Sequence, residues 1–386
     1  MAALGCTNDS GPPADNASTS SAATGGAGGA GSPGAGGAGS PGAGSGGTTA
    51  AGSGGTKADA GSDAAACSPG QGTGGSSSEA GPDAADGGTS DPMLLSQTGL
   101  YANIATGELA PGVLAYQPQF LLWSDTASKR RWIKLPPCSK IDTSDMNYWV
   151  FPNDTKIFKE FTRDGVRVET RMIWKHGAGD WFMMAYKWND THDEAVAVPN
   201  GEMNASGTQH DIPAQEGCTT CHGSMKDRVL GFTAIQLSHG LAGLNLMQAS
   251  SMGWFTNPPA GNFVVPGNAV DQAALGYLHA NCGLCHNDKS KVFQIAVDVN
   301  TWLDTSKLGT VAETPTYTSL VNVPTKPGAI SHVSLRIAPG DPAGSAVHEL
   351  MSLRGDVMRQ MPPTGTELVD TAGVAAVDAW INKPPQ

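Results

Sequence analysis

The first 90 residues contain no phenylalanine, tryptophan or tyrosine, and their only basic residue is Lys57. Glycine, serine and alanine dominate this segment, and the octapeptide GAGGAGSP of residues 26–33 is repeated unchanged in residues 34–41. Such a sequence buries too little apolar surface to offset its chain entropy. We therefore predict that residues 1–91 form a disordered tether that acts as a flexible spacer.

The chain also lacks any apolar run of about 18 residues, which is the length that a membrane-spanning helix needs. It has no block of lysine and arginine, and its formal net charge is −12. A nucleic-acid surface needs clustered positive charge along the phosphate backbone, so nucleic acid is not an expected partner. Residues 91–386 are enough for a sizeable core and for two or three domains.

Cysteine is scarce, with seven residues in the whole chain. The first of them ends the sequence Ala-Leu-Gly-Cys at Cys6, which has the form of a bacterial lipoprotein processing site. We predict that Cys6 is lipidated and anchors the protein to the outer membrane, in the periplasm or at the cell surface. A stray cysteine in a disordered tail is the alternative. Cys67 and Cys138 are candidates for a disulfide, which export would permit.

The other four cysteines form two copies of one motif, CTTCH at residues 218–222 and CGLCH at residues 282–286. C-x-x-C-H is the attachment site of c-type haem. The two thiols add across the haem vinyl groups, and the histidine then lies beneath the iron as its proximal ligand. We predict two covalently bound haem c groups, held by Cys218, Cys221, His222, Cys282, Cys285 and His286. A four-cysteine zinc site or a redox-active disulfide would leave the paired histidines unexplained.

The second motif has recognisable surroundings. Residues 271–281 before it have helical spacing, and residues 369–382 have the apolar period of a closing helix. Met361 precedes two prolines on a stiff turn, and we predict it as the sixth ligand of haem 2, with Met358 as the fallback. A thioether ligand would raise the potential of that haem. Between the motif and this turn, residues 292–299, 320–323 and 333–337 alternate in hydropathy, which predicts a β-hairpin.

The first motif lacks such a Met-Pro turn before the second motif begins. His210 is the leading candidate for the sixth ligand of haem 1. His239, Met247, Met252 and a vacant position remain alternatives.

Residues 95–205 contain short aromatic and β-branched runs that are separated by turn residues, which predicts an antiparallel β-sandwich. Six of the nine tryptophans lie in this part of the chain. Buried strand aromatics explain them more simply than a carbohydrate-binding face does.

The helix, motif, Met-Pro turn and terminal helix of residues 267–383 together resemble a class I cytochrome c domain. The sequence PGDPAGS of residues 339–345 is similar to an element that often precedes the Met-Pro-Pro turn there, in which Asp341 and Ser345 would cap the next helix. The chain as a whole resembles a family of bacterial dihaem c-type cytochromes that are often lipoproteins. That resemblance is carried by LLWSD at 121–125, KRRWIKLP at 129–136, VETR at 168–171, YKWN at 186–189, LGFTAIQL at 230–237 and YLHANCGLCH at 277–286.

The resemblance implies an α+β multidomain protein with a β-rich domain joined to mainly helical haem domains. The expected boundaries are a tether at 1–91, a β-rich domain at 92–207, a first haem-binding region at 208–266 and a class I cytochrome c domain at 267–386. The expected function is electron transfer between redox proteins of the cell envelope, with no catalytic residue. One alternative is a haem enzyme, a peroxidase or small-substrate oxidoreductase, with haem 1 as the open catalytic site and haem 2 as relay. Another makes the β-rich domain a binding module.

Overall fold

The computed structural model describes residues 91–295, 298–326 and 330–383. The tether and its lipidation residue Cys6 lie outside the described residues. Cys138 is disulfide-bonded, and its predicted partner Cys67 also lies outside the described residues. None of the helices in the described segments is both long and apolar enough to cross a bilayer.

The first half of the described chain is rich in β-structure. Its strands are β1 (Tyr101–Asn103), β2 (Glu108–Leu109), β3 (Val113–Ala115), β4 (Ser128–Lys134), β5 (Lys156–Arg163), β6 (Val166–Gly177), β7 (Asp180–Trp188) and β8 (Ala195–Ala197). β1 pairs with β2, and β3 to β8 form one antiparallel sheet in which spatial order follows chain order. The predicted antiparallel β-region is confirmed. The predicted sandwich of two full sheets is wrong, since the described residues form a six-stranded meander and, besides it, only the two-stranded β1–β2 sheet.

The sheet is covered on both faces, and alternate residues of each strand point to opposite clusters. One face packs against the N-terminal segment, with the contacts Trp132, Phe158, Met172, Leu95 and Leu100. The other packs against residues 229–255, with the contacts Ile133, Ile157, Ile173, Phe232 and Leu246. The layer opposite the second face is therefore the chain that follows the first motif, made of short helices and loops. This arrangement replaces the second sheet of the predicted sandwich.

The helices are α1 (Cys218–His222), α2 (Ala234–Leu237), α3 (Leu246–Ser251), α4 (Ala269–Asn281), α5 (Lys291–Ile295), α6 (Pro315–Leu320), α7 (Ala346–Ser352) and α8 (Thr371–Ile381). The two helices predicted around the second motif are confirmed as α4 and α8. Asn268 begins α4 by accepting hydrogen bonds from the amides of Val270 and Asp271. Asp370 begins α8 by accepting one from the amide of Gly373.

α4 and α8 pack against each other at a close crossing. A Cβ atom at Gly373 would lie 2.2 Å from ring carbons of Tyr277, so only glycine permits this approach. Asp271 of α4 is 1% exposed and accepts from Trp380 Nε1 at 3.1 Å and from Lys383 Nζ at 2.6 Å. Apolar packing and one buried carboxylate therefore hold the terminal helix to the helix that precedes the second motif.

Two local predictions between the motif and the Met-Pro turn are corrected. The hairpin is wrong, because residues 291–295 are helical and, among the described residues, the other runs are joined only by isolated bridges, Val321 to Ile337 and Pro324 to Leu335. The Ser290 hydroxyl accepts from the amide of Phe293, which starts a helix. Ser345 does precede α7, but its side chain bonds to the backbone of residues 338 and 341 rather than capping that helix.

The α4–α8 crossing can be tested with Gly373→Val. We expect a loss of about 2 kcal/mol in the free energy of unfolding, because the added side chain collides with the Tyr277 ring in a packed core. Ala375→Val, at an exposed position of the same helix, is the matched control and is expected to cost only about 0.5 kcal/mol through helix propensity. Equal losses in urea unfolding would show that the two helices do not pack in this way.

Candidate functional site

The first motif is a single turn of helix, α1, that follows a 3-10 turn at Gln215–Gly217. Cys218 and Cys221 are partly buried, and neither is disulfide-bonded. The Nδ1 atom of His222 lies 2.6 Å from the carbonyl oxygen of Arg228. A carbonyl only accepts, so Nδ1 carries the proton and the lone pair of Nε2 is left for a ligand. Burial lowers the pKa of His222 to about 4, which keeps the ring neutral.

The second motif continues directly from α4. The amides of Cys285 and His286 donate to the carbonyl of Cys282 at 3.0 and 2.8 Å, which closes a helical turn. Cys282 and Cys285 are also free thiols, and burial raises their pKa values to about 12 and about 11. Burial lowers the pKa of His286 to about 4. Its buried Nδ1 atom has no hydrogen-bond partner among the described residues.

The two motifs lie close together in space, although 64 positions separate Cys218 from Cys282 in the sequence. Burial is the main cause of the raised pKa of Cys285, and electrostatic interaction with the nearby Cys221 is the second cause. A small cavity lies between the two segments, lined by Leu230 and Gly231 on the side of the first motif and by Ala280 and Leu284 on the other. The fold therefore brings both thiol pairs to one region.

Four basic residues form a cationic row beside the first motif: Lys129, Arg131, Lys159 and Arg171. In the sheet register Arg131 is opposite Lys159, and Lys159 is opposite Arg171. Burial lowers the pKa of Lys129 to about 7 and holds that of Lys159 well below its usual range. Lys159 also contributes to the lowered pKa of His222, which places the row next to the motif.

This row is not evident from the sequence, where Lys129 and Arg131 look like part of an ordinary charged strand. The sequence signal that could have revealed the row is the alternation of charged with apolar residues in three consecutive strands. It places basic side chains on the same face as the buried Ile133, Ile157 and Ile173.

Met361 is partly buried, and the structure ties its turn to α4. Arg354 donates to the Met361 carbonyl at 3.4 Å and to that of Met351 at 3.1 Å. Burial is the main cause of the raised pKa of Tyr277 on α4; the nearby Cys282 raises it further and the nearby Arg354 opposes the shift. Met358 is 76% exposed. Of the two methionines, Met361 is therefore the partly buried one, and Arg354 contacts its backbone.

The candidates for the sixth ligand of haem 1 are already engaged or exposed. His210 is 7% exposed, and its Nε2 atom lies 2.7 Å from the Glu169 carboxylate. His239 contacts the Gln117 carbonyl through Nε2 and accepts from the Leu241 amide at Nδ1. Met247 and Met252 are 39% and 52% exposed. His210 would have to release Glu169 before its Nε2 atom could bind iron.

Across the described part of the chain, no three histidine, cysteine, aspartate or glutamate side chains converge as ligands of a bare metal ion. A haem iron takes only one or two axial side chains from the protein, so a haem site does not require such a cluster. No protein-family model, curated protein or solved structure matches this chain.

One buried histidine in this region yields a pH prediction. His279 of α4 is 1% exposed, its ring packs on Trp302, and its Nδ1 atom accepts from the Leu303 amide at 3.1 Å. Burial lowers its pKa to about 3, so between pH 6.5 and 3 the unfolded chain binds the extra proton. We expect the free energy of unfolding to fall with decreasing pH in this window, by about 1.4 kcal/mol per pH unit from this group.

The measurement is urea unfolding at several pH values for the wild type and for His279→Asn, whose amide oxygen can still accept from Leu303. In this variant, the free energy of unfolding should lose the part of its pH dependence that His279 contributes. His332→Asn, at a position whose side chain is 75% exposed, should keep it. A wild-type slope in the His279 variant would contradict the assignment.

Proposed function

We propose that this protein is an exported dihaem c-type cytochrome that transfers electrons between redox proteins of the cell envelope. The observation that carries the proposal is the pair of C-x-x-C-H turns, which lie close together with four free thiols and two neutral histidines. Cys218, Cys221 and His222 would hold one haem, and Cys282, Cys285 and His286 the other. When bound, haem supplies a one-electron iron couple whose potential depends on axial ligands, charge and burial.

The residues around each histidine are suited to hold a proximal ligand. The Arg228 carbonyl orients His222 by accepting from Nδ1, an outer hydrogen bond of the kind that fixes the tautomer of metal-bound histidines. The backbone of His286 is held by Thr301, whose amide donates to its carbonyl at 2.9 Å. Tyr148 and Trp302 stack beside this segment with ring centroids 5.6 Å apart and would exclude water from it.

A location outside the cytoplasm is part of the proposal. The disulfide at Cys138 supports it, because structural disulfides persist in oxidising compartments. Lipidation at Cys6 would anchor the protein to the outer membrane, facing the periplasm or the cell surface, with residues 1–91 as the spacer.

A second candidate function is a haem enzyme that acts on peroxide or another small substrate at haem 1. It is favoured by the engagement of His210 with Glu169 and of His239 with Gln117 and Leu241. These contacts would leave the sixth position of haem 1 open to a substrate. In this case the second haem site would serve as an electron relay.

The first experiment is the visible spectrum of the dithionite-reduced protein, produced with a c-type maturation system, before and after addition of carbon monoxide. Haem bands that carbon monoxide leaves unchanged would support an electron carrier with two six-coordinate irons. A shift in about half of the Soret intensity would favour the enzyme. Absence of covalent haem would overturn both candidates.

The attachment residues can be tested by mass. Cys282→Ala/Cys285→Ala should lower the covalent haem content from two to one per chain, because thioether bonds to the second haem can no longer form. Cys218→Ala/Cys221→Ala should remove the other haem. Intact mass of the denatured protein measures both, and a mass that still includes two haems in either variant would refute the assignment.

Met361→Leu tests the axial ligand of haem 2. Loss of the thioether should lower the midpoint potential of one haem and make about half of the total haem newly reactive with carbon monoxide. Met358→Leu is the control, because its side chain is exposed, and it should change neither property. Identical potentials and spectra for Met361→Leu and the wild type would remove Met361 as a ligand.

A further inference from the structure

The cavity between the two motifs has a wall of hydrogen-bond donors. Besides the apolar residues already described, it is lined by Arg131 and Lys159 from the sheet and by His279 and Trp302 from the side of the second motif. None of the residues that line it is acidic. A cavity with several donors and cations but no carboxylate has the chemistry of an anion site.

Among the described residues, the two basic residues in this wall are the members of the cationic row whose side chains have no hydrogen-bond or ion-pair partner. Lys129 donates to the hydroxyl of Ser124 at 2.7 Å, and Arg171 donates to the Glu169 carboxylate at 2.9 Å. Arg131 is 4% exposed, and in the described segments neither it nor Lys159 forms an ion pair. Charge that is buried without a counter-charge is costly, and here the uncompensated charge is confined to the cavity wall.

The two aromatic rings add unpartnered N–H groups. Because the Leu303 amide donates to Nδ1 of His279, the proton of the neutral ring is on Nε2. That buried Nε2 atom and the buried Nε1 atom of Trp302 have no hydrogen-bond partner among the described residues. His279 and Trp302 are 1% and 7% exposed. A buried donor left without an acceptor destabilises the fold, so two such groups beside two unpaired cations indicate a missing acceptor.

We propose that this cavity is a carboxylate-binding site in which Arg131, Lys159, His279 and Trp302 hold propionate groups of the haems attached at the two adjoining motifs. This inference rests on the proposed function. A carboxylate has two acceptor oxygens with about four lone-pair positions, and each of the four side chains offers at least one N–H donor to them. An arginine binds such a group through two parallel hydrogen bonds, and the surrounding apolar residues would exclude water.

The test compares Arg131→Gln with Arg130→Gln in the haem-loaded protein. Arg130 is the neighbouring residue of β4, but its side chain is 64% exposed and pairs with Glu160 outside the cavity. Potentiometric titration reports the charge near the haem, and the propionate bending band in resonance Raman spectra reports hydrogen bonding to the carboxylates. We expect Arg131→Gln to lower the potential of at least one haem and to shift the propionate band, and Arg130→Gln to change neither.

His279→Asn and Lys159→Gln provide independent tests if Arg131→Gln does not yield loaded protein. Each should shift the propionate band, and an unchanged band in all loaded variants would overturn the inference while leaving the proposed function intact. Wild-type protein without covalent haem would instead overturn the proposed function.

A free anion is the other source of the same chemistry. Titration of the loaded wild type with sodium phosphate at constant ionic strength separates the two. Tethered propionates predict constant potentials, whereas potentials that follow the phosphate concentration would show a free-anion site and refute the propionate assignment.

Discussion

The packing of the first C-x-x-C-H segment and its downstream chain on one face of the six-stranded sheet is the contact on which the rest of the candidate site depends. Half of that face is apolar and is covered by residues 229–255. The other half holds the cationic row, which borders His222 and the cavity. A single sheet therefore supplies both the core that holds the first motif in place and the charge that surrounds it.

The second motif is positioned by a different contact, the crossing of α4 and α8. Gly373 allows the Tyr277 ring to approach, and the buried Asp271 joins α4 to Trp380 and Lys383. Tyr277 also lies near Cys282 and Arg354, and Arg354 contacts the Met361 carbonyl. The helix that leads into the motif is thus connected, through one aromatic residue and one arginine, to the turn that carries the proposed axial methionine.

The elements predicted well are those with strong local signals. α4 and α8 follow from apolar spacing, and the strands follow from aromatic and β-branched runs between turn residues. In the structure Asn268 and Asp370 also cap the two helices. The hairpin predicted after the second motif failed because the Ser290 cap outweighs hydropathy alternation over a short run. The prediction of a sandwich was wrong because a strand pattern reveals that one face is buried but not whether a sheet or a loop covers that face.

The sequence alone determined the two thiol pairs and their adjacent histidines, because the C-x-x-C-H motif is defined by local spacing. It also determined the helices around the second motif. Only the tertiary structure decided that the two motifs lie together and that Arg131 and Lys159 share a cavity wall with His279 and Trp302. These relations join residues that are at least 64 positions apart, and they depend on sheet register and packing, which no local pattern encodes.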